Sequence, residues 1–258
     1  MIISHKHKFI FIKIRKTASS SIEAALAPLC GEDDIITPMP LSPEYGQSRN
    51  WEAVAGGWRL LRRIPELLFW RDTIQRYAGM SQRRQILHGN FYNHMRAVDV
   101  KACVGAKIWN SYFKFCCERN PWDKILSRYS WQYRGQDKSP SKYQDPALPN
   151  GVSPHLFTEY LQRHKKESPS ISDYPFYTDR SGKVLVDKVI RFENLHDDFA
   201  EVVKQIGVPA TLDLHIKKGY KSAGLANRFA YREVYSTEQR QLVAAASAKE
   251  IAMFGYEF

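Results

Sequence analysis

The chain is 258 residues long, with 38 Lys and Arg against 27 Asp and Glu and a formal net charge of +11 at pH 7. That length suffices for one domain with a full core, and the charge attracts polyanions whether or not they are substrates. No stretch reaches the roughly eighteen apolar residues of a membrane span, the start lacks the small-residue cleavage site of a signal peptide, and no basic repeat, zinc spacing or RNA-reading aromatic pattern marks nucleic acid as a specific partner.

The first predicted unit is a strand running through a polar turn into a helix. FIFIKI, residues 9–14, is apolar enough for a buried strand, and SSSIEAALAPL begins with hydroxyl residues that cap helices and continues with helix formers. The turn between them, RKTA, therefore lies where anions bind. The first amides of a helix have no intrahelical partner and point outward at its positive dipole end. Arg15, Lys16, Thr17, Ala18, Ser19, Ser20 and Ser21 surround that end. They form a phosphate cradle without a glycine loop, since no Gly occurs between Met1 and Cys30.

Residues 31–50, rich in Pro, Gly, Asp and Ser, are expected to be loop, with helical pieces within 51–64 and 66–78, the second opened by Pro65. Residues 31–86 together are expected to form a helical and loop insertion. Between 49 and 84 lie eight arginines, no lysine and three acids, interleaved with tryptophans. Such a stretch can floor a sugar or nucleotide site and hold carboxylates or sulfates, or it can be an ordinary amphipathic helix with solvated arginines.

The strand-turn-helix pattern returns at Tyr112–Tyr129, YFKFCCERNPWDKILSRY. Asn120-Pro121 opens the helix, because Pro suits its first position. An arginine fork at Arg119 and a hydroxyl two turns into the helix at Ser127 make a second phosphate site. Two phosphate sites at the ends of two strands suit a nucleotide phosphorylated at both its 5′ and 3′ positions.

Arg134–Pro154 is expected to be a mobile loop near an acceptor mouth. Then follow an exposed helix at HLFTEYLQRHKK, a strand at VLVDKVIRF, a helix at NLHDDFAEVVKQIG closed by Gly207, and a single last helix at TEQRQLVAAASAKEIAMF. The late loop KKGYKSAGLANR offers Lys217, Lys218, Lys221 and Arg228 to a phosphate, with Gly219 and Gly224 to let the backbone fold over it. Alternating strands and helices imply an α/β fold with a mainly parallel sheet flanked by helices on both faces. Cys30, Cys103, Cys116 and Cys117 show no metal spacing and suit reduced core positions, with adjacent Cys116 and Cys117 on opposite faces of a strand.

In these motifs the chain resembles the sulfotransferases that use 3′-phosphoadenosine 5′-phosphosulfate (PAPS), most closely the carbohydrate branch containing the heparan sulfate 2-O-enzymes. KTASSS is similar to that branch's 5′-phosphosulfate loop, with Arg15 where Pro is frequent. Arg119–Tyr129 is similar to its 3′-phosphate motif, with Glu118 in place of an apolar residue and Lys124 in place of Arg. VIRFENLHDDF and the ending IAMFGYEF extend the likeness. The resemblance implies one three-layer P-loop-like domain over 1–258, PAPS as donor, no metal, and a hydroxyl acceptor, with a glycan in first place and an acidic one suggested by the arginine-rich stretch. Family members of the Golgi carry a membrane anchor and stem that this sequence does not show, so a cytoplasmic protein is expected.

Sulfuryl transfer needs in-line positioning, charge for the leaving phosphate and a base for the acceptor proton; phosphoryl transfer is the nearest analogy. Lys16 is the candidate for the leaving-group charge. His88 is the first candidate for the base, since LHGNFY resembles the HGH element of the 2-O-enzymes with Asn90 replacing the second histidine. His94, Asp99 and Glu23 are its rivals. A P-loop phosphotransferase is the alternative enzyme, weakened by the missing glycines, and a nonenzymatic polyanion or nucleic-acid binder is the alternative from another class.

Overall fold

The computed structural model describes residues 1–38, 47–51, 91–134, 154–166, 171–212 and 230–258. Its centre is a five-stranded sheet in the order β3-β1-β2-β4-β5, with β1 at Ile2–Ser4, β2 at Phe9–Ile12, β3 at Ile35–Ile36, β4 at Phe113–Glu118 and β5 at Lys188–Arg191. β2, β4 and β5 pair in parallel, Ile12 opposite Cys116 and Cys116 opposite Val189. β1 pairs antiparallel with both β2 and β3. The expected mainly parallel sheet is thus parallel across the strands that carry the phosphate motifs and antiparallel along the other edge. β1 and β3 had not been foreseen, and β3 lies in a stretch expected to be loop.

Alternation along the strands feeds two cores. Phe9, Phe11, Phe115, Cys117 and Ile190 face Ile22 and Leu26 of α1 (Ser19–Leu26) and Phe199 and Val202 of the long helix after β5. Ile10, Ile12 and Cys116 face Val100, Cys103 and Trp109 of α2 (Ala97–Ser111), together with Tyr177. The sheet is therefore covered by helices on both faces. All four cysteines are free and buried, and Cys116 and Cys117 do point to opposite faces.

A third core has no sheet residue. There α3 (Pro121–Arg134) and α4 (Pro154–Lys166) pack with α7 (Thr237–Ala246) and α8 (Ala248–Phe254) around Trp122, Tyr129, Phe157, Tyr160 and Val243. Phe157, Tyr160 and Leu161 are buried, so α4 is half-buried rather than exposed. The short α5 spans Tyr174–Tyr177. α6 spans Leu195–Ile206 and ends as expected on left-handed Gly207, φ 69°. The expected last helix is broken at Ser247 into α7 and α8, and Ser236 with Gln239 closes a capping box at the start of α7. Among the described residues no helix is long and apolar enough to cross a membrane. Most of the expected insertion and residues 135–153 of the expected acceptor-mouth loop lie outside the described residues, while Arg134 and Pro154 at its ends belong to α3 and α4.

Candidate functional site

Beyond β2, Lys13 and Ile14 stay buried. The chain then turns with Lys16 at φ 60° and Ala18 at φ 57°, the left-handed conformation that costs a non-glycine residue roughly 1–2 kcal/mol. Hydroxyls brace the turn from inside. Thr17 Oγ1 and Ser19 Oγ both donate to the Ile14 carbonyl, at 3.3 and 2.5 Å, and lie 2.9 Å from each other. Ala18 is the N-cap of α1 without a side-chain cap, and its carbonyl takes the amides of Ser21 and Ile22 at 2.9 and 3.2 Å.

The helix start is therefore left open to a ligand rather than capped by its own serines. The amides that open α1 ahead of Ser21 have no partner within the helix, and Lys16 and the half-buried Ser20 lie beside them. Ser21 is buried within that first turn. The sequence had expected Thr17 and Ser19 to face the ligand; here they hold the loop. Arg15 is half-buried. Burial and the neighbouring Arg128 lower its pKa, while Asp173 opposes them.

The second motif arrives at the same place because β4 is the parallel neighbour of β2. Arg119 Nη1 donates to the Lys16 carbonyl at 3.1 Å, so the two turns touch directly. The rest of the guanidinium pairs with Asp123, Nε at 2.7 Å and Nη2 at 2.6 Å, and stacks on Phe192 with 4.2 Å to the ring centroid. Asn120 fixes the helix entry. Its backbone amide donates to Glu193 at 2.8 Å, and its Oδ1 accepts from the Trp122 amide at 3.1 Å. Ser127 lies two turns along α3, half-buried.

Under this surface sits a buried charge cluster. Lys124 Nζ lies 2.6 Å from Glu118 and 3.1 Å from Asp173, and all three are buried. Glu250, also buried, accepts from the backbone amides of Asp173 and Tyr174 at 3.0 and 3.1 Å. Burial pushes the Glu118 carboxyl up to about 7, although Lys124 opposes it. Burial also pulls on Lys124, but Asp173 and Glu118 outweigh it and hold the ammonium above its ordinary value. Glu118 and Lys124 are the two residues by which this motif departs from the pattern it resembles, and they are each other's partner.

The candidate bases are sorted by position. His94, itself at φ 59°, places Nδ1 3.2 Å from the Lys13 carbonyl. A carbonyl only accepts, so Nδ1 carries the proton and Nε2 the lone pair. Burial, with Lys13 and Arg15 close by, pushes its pKa down to about 2. Glu23 is buried against Lys13 in an ion pair. Asp99 lies in the first turn of α2, paired with Arg96 at 2.9 Å. His88, Lys218, Lys221 and Arg228, like Lys217, lie outside the described residues.

Sequence reasoning missed Lys13, Asp123, Phe192 and Glu193. The string VIRFENL did stand out, without revealing that its Phe and Glu seat the second motif.

Two comparisons bear on this geometry. The model of the family described as "Sulfotransferase family" matches residues 1–257. An uncharacterized protein of Archaeoglobus fulgidus is 34% identical over 124 residues, 47% of this chain and 90% of the relative.

Proposed function

The chain belongs to the sulfotransferase family, and from that premise we propose that it moves the sulfuryl group of PAPS to a hydroxyl of a carbohydrate, on a P-loop-like scaffold. The observation that carries this reading is the 3.1 Å contact between Arg119 and the Lys16 carbonyl. It joins two anion-binding turns at the ends of neighbouring parallel strands, as a nucleotide with phosphates at both 5′ and 3′ positions requires.

In this reading the amides opening α1 and the Lys16 ammonium take the 5′-phosphosulfate, while Arg119 and Ser127 take the 3′-phosphate, with Lys218, Lys221 and Arg228 of the late loop closing over it. The sulfur–oxygen bond to the 5′-phosphate breaks as a bond to the acceptor oxygen forms. Lys16 offsets the charge that develops on the leaving phosphate, and no metal takes part. A histidine receives the acceptor proton. His88 keeps that role on resemblance. His94 competes for it on position, because its Nε2 carries the lone pair and an anionic donor would offset the cations that add to burial in depressing its pKa. The arginines of residues 49–84 favour an acceptor bearing carboxylates or sulfates.

The test is transfer of radiolabelled sulfate from PAPS to a panel of acidic and neutral glycans. His88→Ala and His94→Ala are compared in parallel, and loss of the base costs roughly a hundredfold or more in turnover. No label in any glycan, with the donor bound, would contradict the carbohydrate reading.

A further inference from the structure

Three aromatic rings of α3 differ in exposure. Trp122 and Tyr129 are 4% and 2% exposed, whereas Trp131 is 59% exposed. Trp131 stands one helical turn beyond Ser127, on the same face of the helix. Its ring centroid is 6.0 Å from Lys16 Nζ, at the outer limit of cation–π attraction, so the ammonium does not close off the ring. The indole therefore lies next to both the lysine assigned to the leaving group and the helix assigned to the 3′-phosphate. Arg128, three residues before Trp131 on the same helix, adds a second cation to this side; with burial it lowers the pKa of the neighbouring Arg15. An apolar face in water, framed by positive charge and set beside an anion-binding turn, matches one kind of partner: a ring with a C–H face and an acidic edge.

We propose that Trp131 is the acceptor platform of the transfer site, on which a uronate-bearing sugar ring lies while its hydroxyl reaches the sulfuryl group at Lys16. This rests on the sulfuryl-transfer reading, and it adds a residue that touches the acceptor and not the nucleotide. An aromatic anchor with few rotatable bonds gives contact area at little entropic cost and tolerates variation in the sugar's edge groups.

The probe is N-acetylheparosan, a polymer of alternating glucosamine and glucuronate, titrated into the protein saturated with adenosine 3′,5′-bisphosphate. Trp131→Ala should weaken glycan binding about tenfold or more, about 1.4 kcal/mol, while Trp131→Phe stays within a few-fold of the parent. Because the ring is exposed, both variants should fold and bind the bisphosphate as the parent does. Equal glycan affinity in the parent and Trp131→Ala, or no glycan binding by the parent, overturns the proposal. So does a result in which Trp131→Ala spares the glycan and weakens 4-nitrophenol, since the platform would then serve aromatic acceptors. A parent that fails to prefer the bisphosphate over the 5′-monophosphate breaks the donor reading instead, and that outcome shows in the nucleotide titration alone.

Discussion

The turn after β2 and the turn after β4 sit side by side at the ends of paired parallel strands, yet they are built differently. In the first, the working part is backbone. Lys16 and Ala18 hold left-handed conformations without being glycine, and Thr17 and Ser19 brace them against Ile14. In the second, the backbone enters a helix smoothly through Asn120-Pro121, and the working part is side-chain charge: Arg119 on Asp123 and Phe192, with Glu118 on Lys124 beneath. The first turn bears conformational strain and the second bears desolvation. They are also unequal in dependence, because Arg119 supports the Lys16 carbonyl and thus part of the first turn's shape belongs to the second.

The largest expected effect lies in the buried charges. Lys124→Met leaves Glu118 and Asp173 without their shared cation and should cost about 3–5 kcal/mol in chemical denaturation. Adding Glu118→Leu should return part of that loss; a double variant no more stable than the single would show that the pair does not couple.

Next comes the dependence between the turns. Arg119→Ala should weaken adenosine 3′,5′-bisphosphate by one to two orders of magnitude, from the roughly 1.5–3 kcal/mol of a charged hydrogen bond. It should also weaken the 5′-monophosphate by a few-fold, because the Lys16 carbonyl loses its donor. An unchanged monophosphate affinity would make the two turns independent.

Acid–base behaviour should separate the units by sign. Native His94 titrates near 2 and its unfolded counterpart near 6.5, so below 6.5 the unfolded chain binds the extra proton and stability falls as pH falls. Native Glu118 titrates near 7 against 4.5 unfolded. Between those values the native state holds the extra proton, and stability falls as pH rises. Denaturation midpoints measured from pH 4.5 to 7 should therefore change slope in opposite directions in His94→Gln and Glu118→Gln. Each change is at most about 1.4 kcal/mol per pH unit, the worth of one proton. Slopes moving the same way would refute the assignment.

The smallest effect tests the strained turn. Ala18→Gly should be neutral or stabilise by up to about 1 kcal/mol, since glycine adopts positive φ freely. Ala24→Gly, inside α1, should instead destabilise by about 1 kcal/mol.

Both anchoring units were legible because their strands are short apolar runs bounded by polar turns, and because Pro121 and Gly207 mark helix ends by their own chemistry. β1 and β3 were not, since strands of three and two residues are too short to show a period and owe their existence to pairing. Hydroxyls near a helix start were visible in sequence, but not their direction. Thr17 and Ser19 turn inward because the buried Ile14 carbonyl, two residues beyond β2, needs donors. Glu118 and Lys124 each looked like an isolated departure until the strand end and the helix came together. The break at Ser247 carries no glycine or proline to announce it.

Calorimetric titration decides whether the two turns serve one doubly phosphorylated nucleotide. Adenosine 3′,5′-bisphosphate should bind the parent at least tenfold more tightly than adenosine 5′-monophosphate, about 1.4 kcal/mol, with the preference lost in Arg119→Ala. Equal affinity for the two nucleotides in the parent would contradict it.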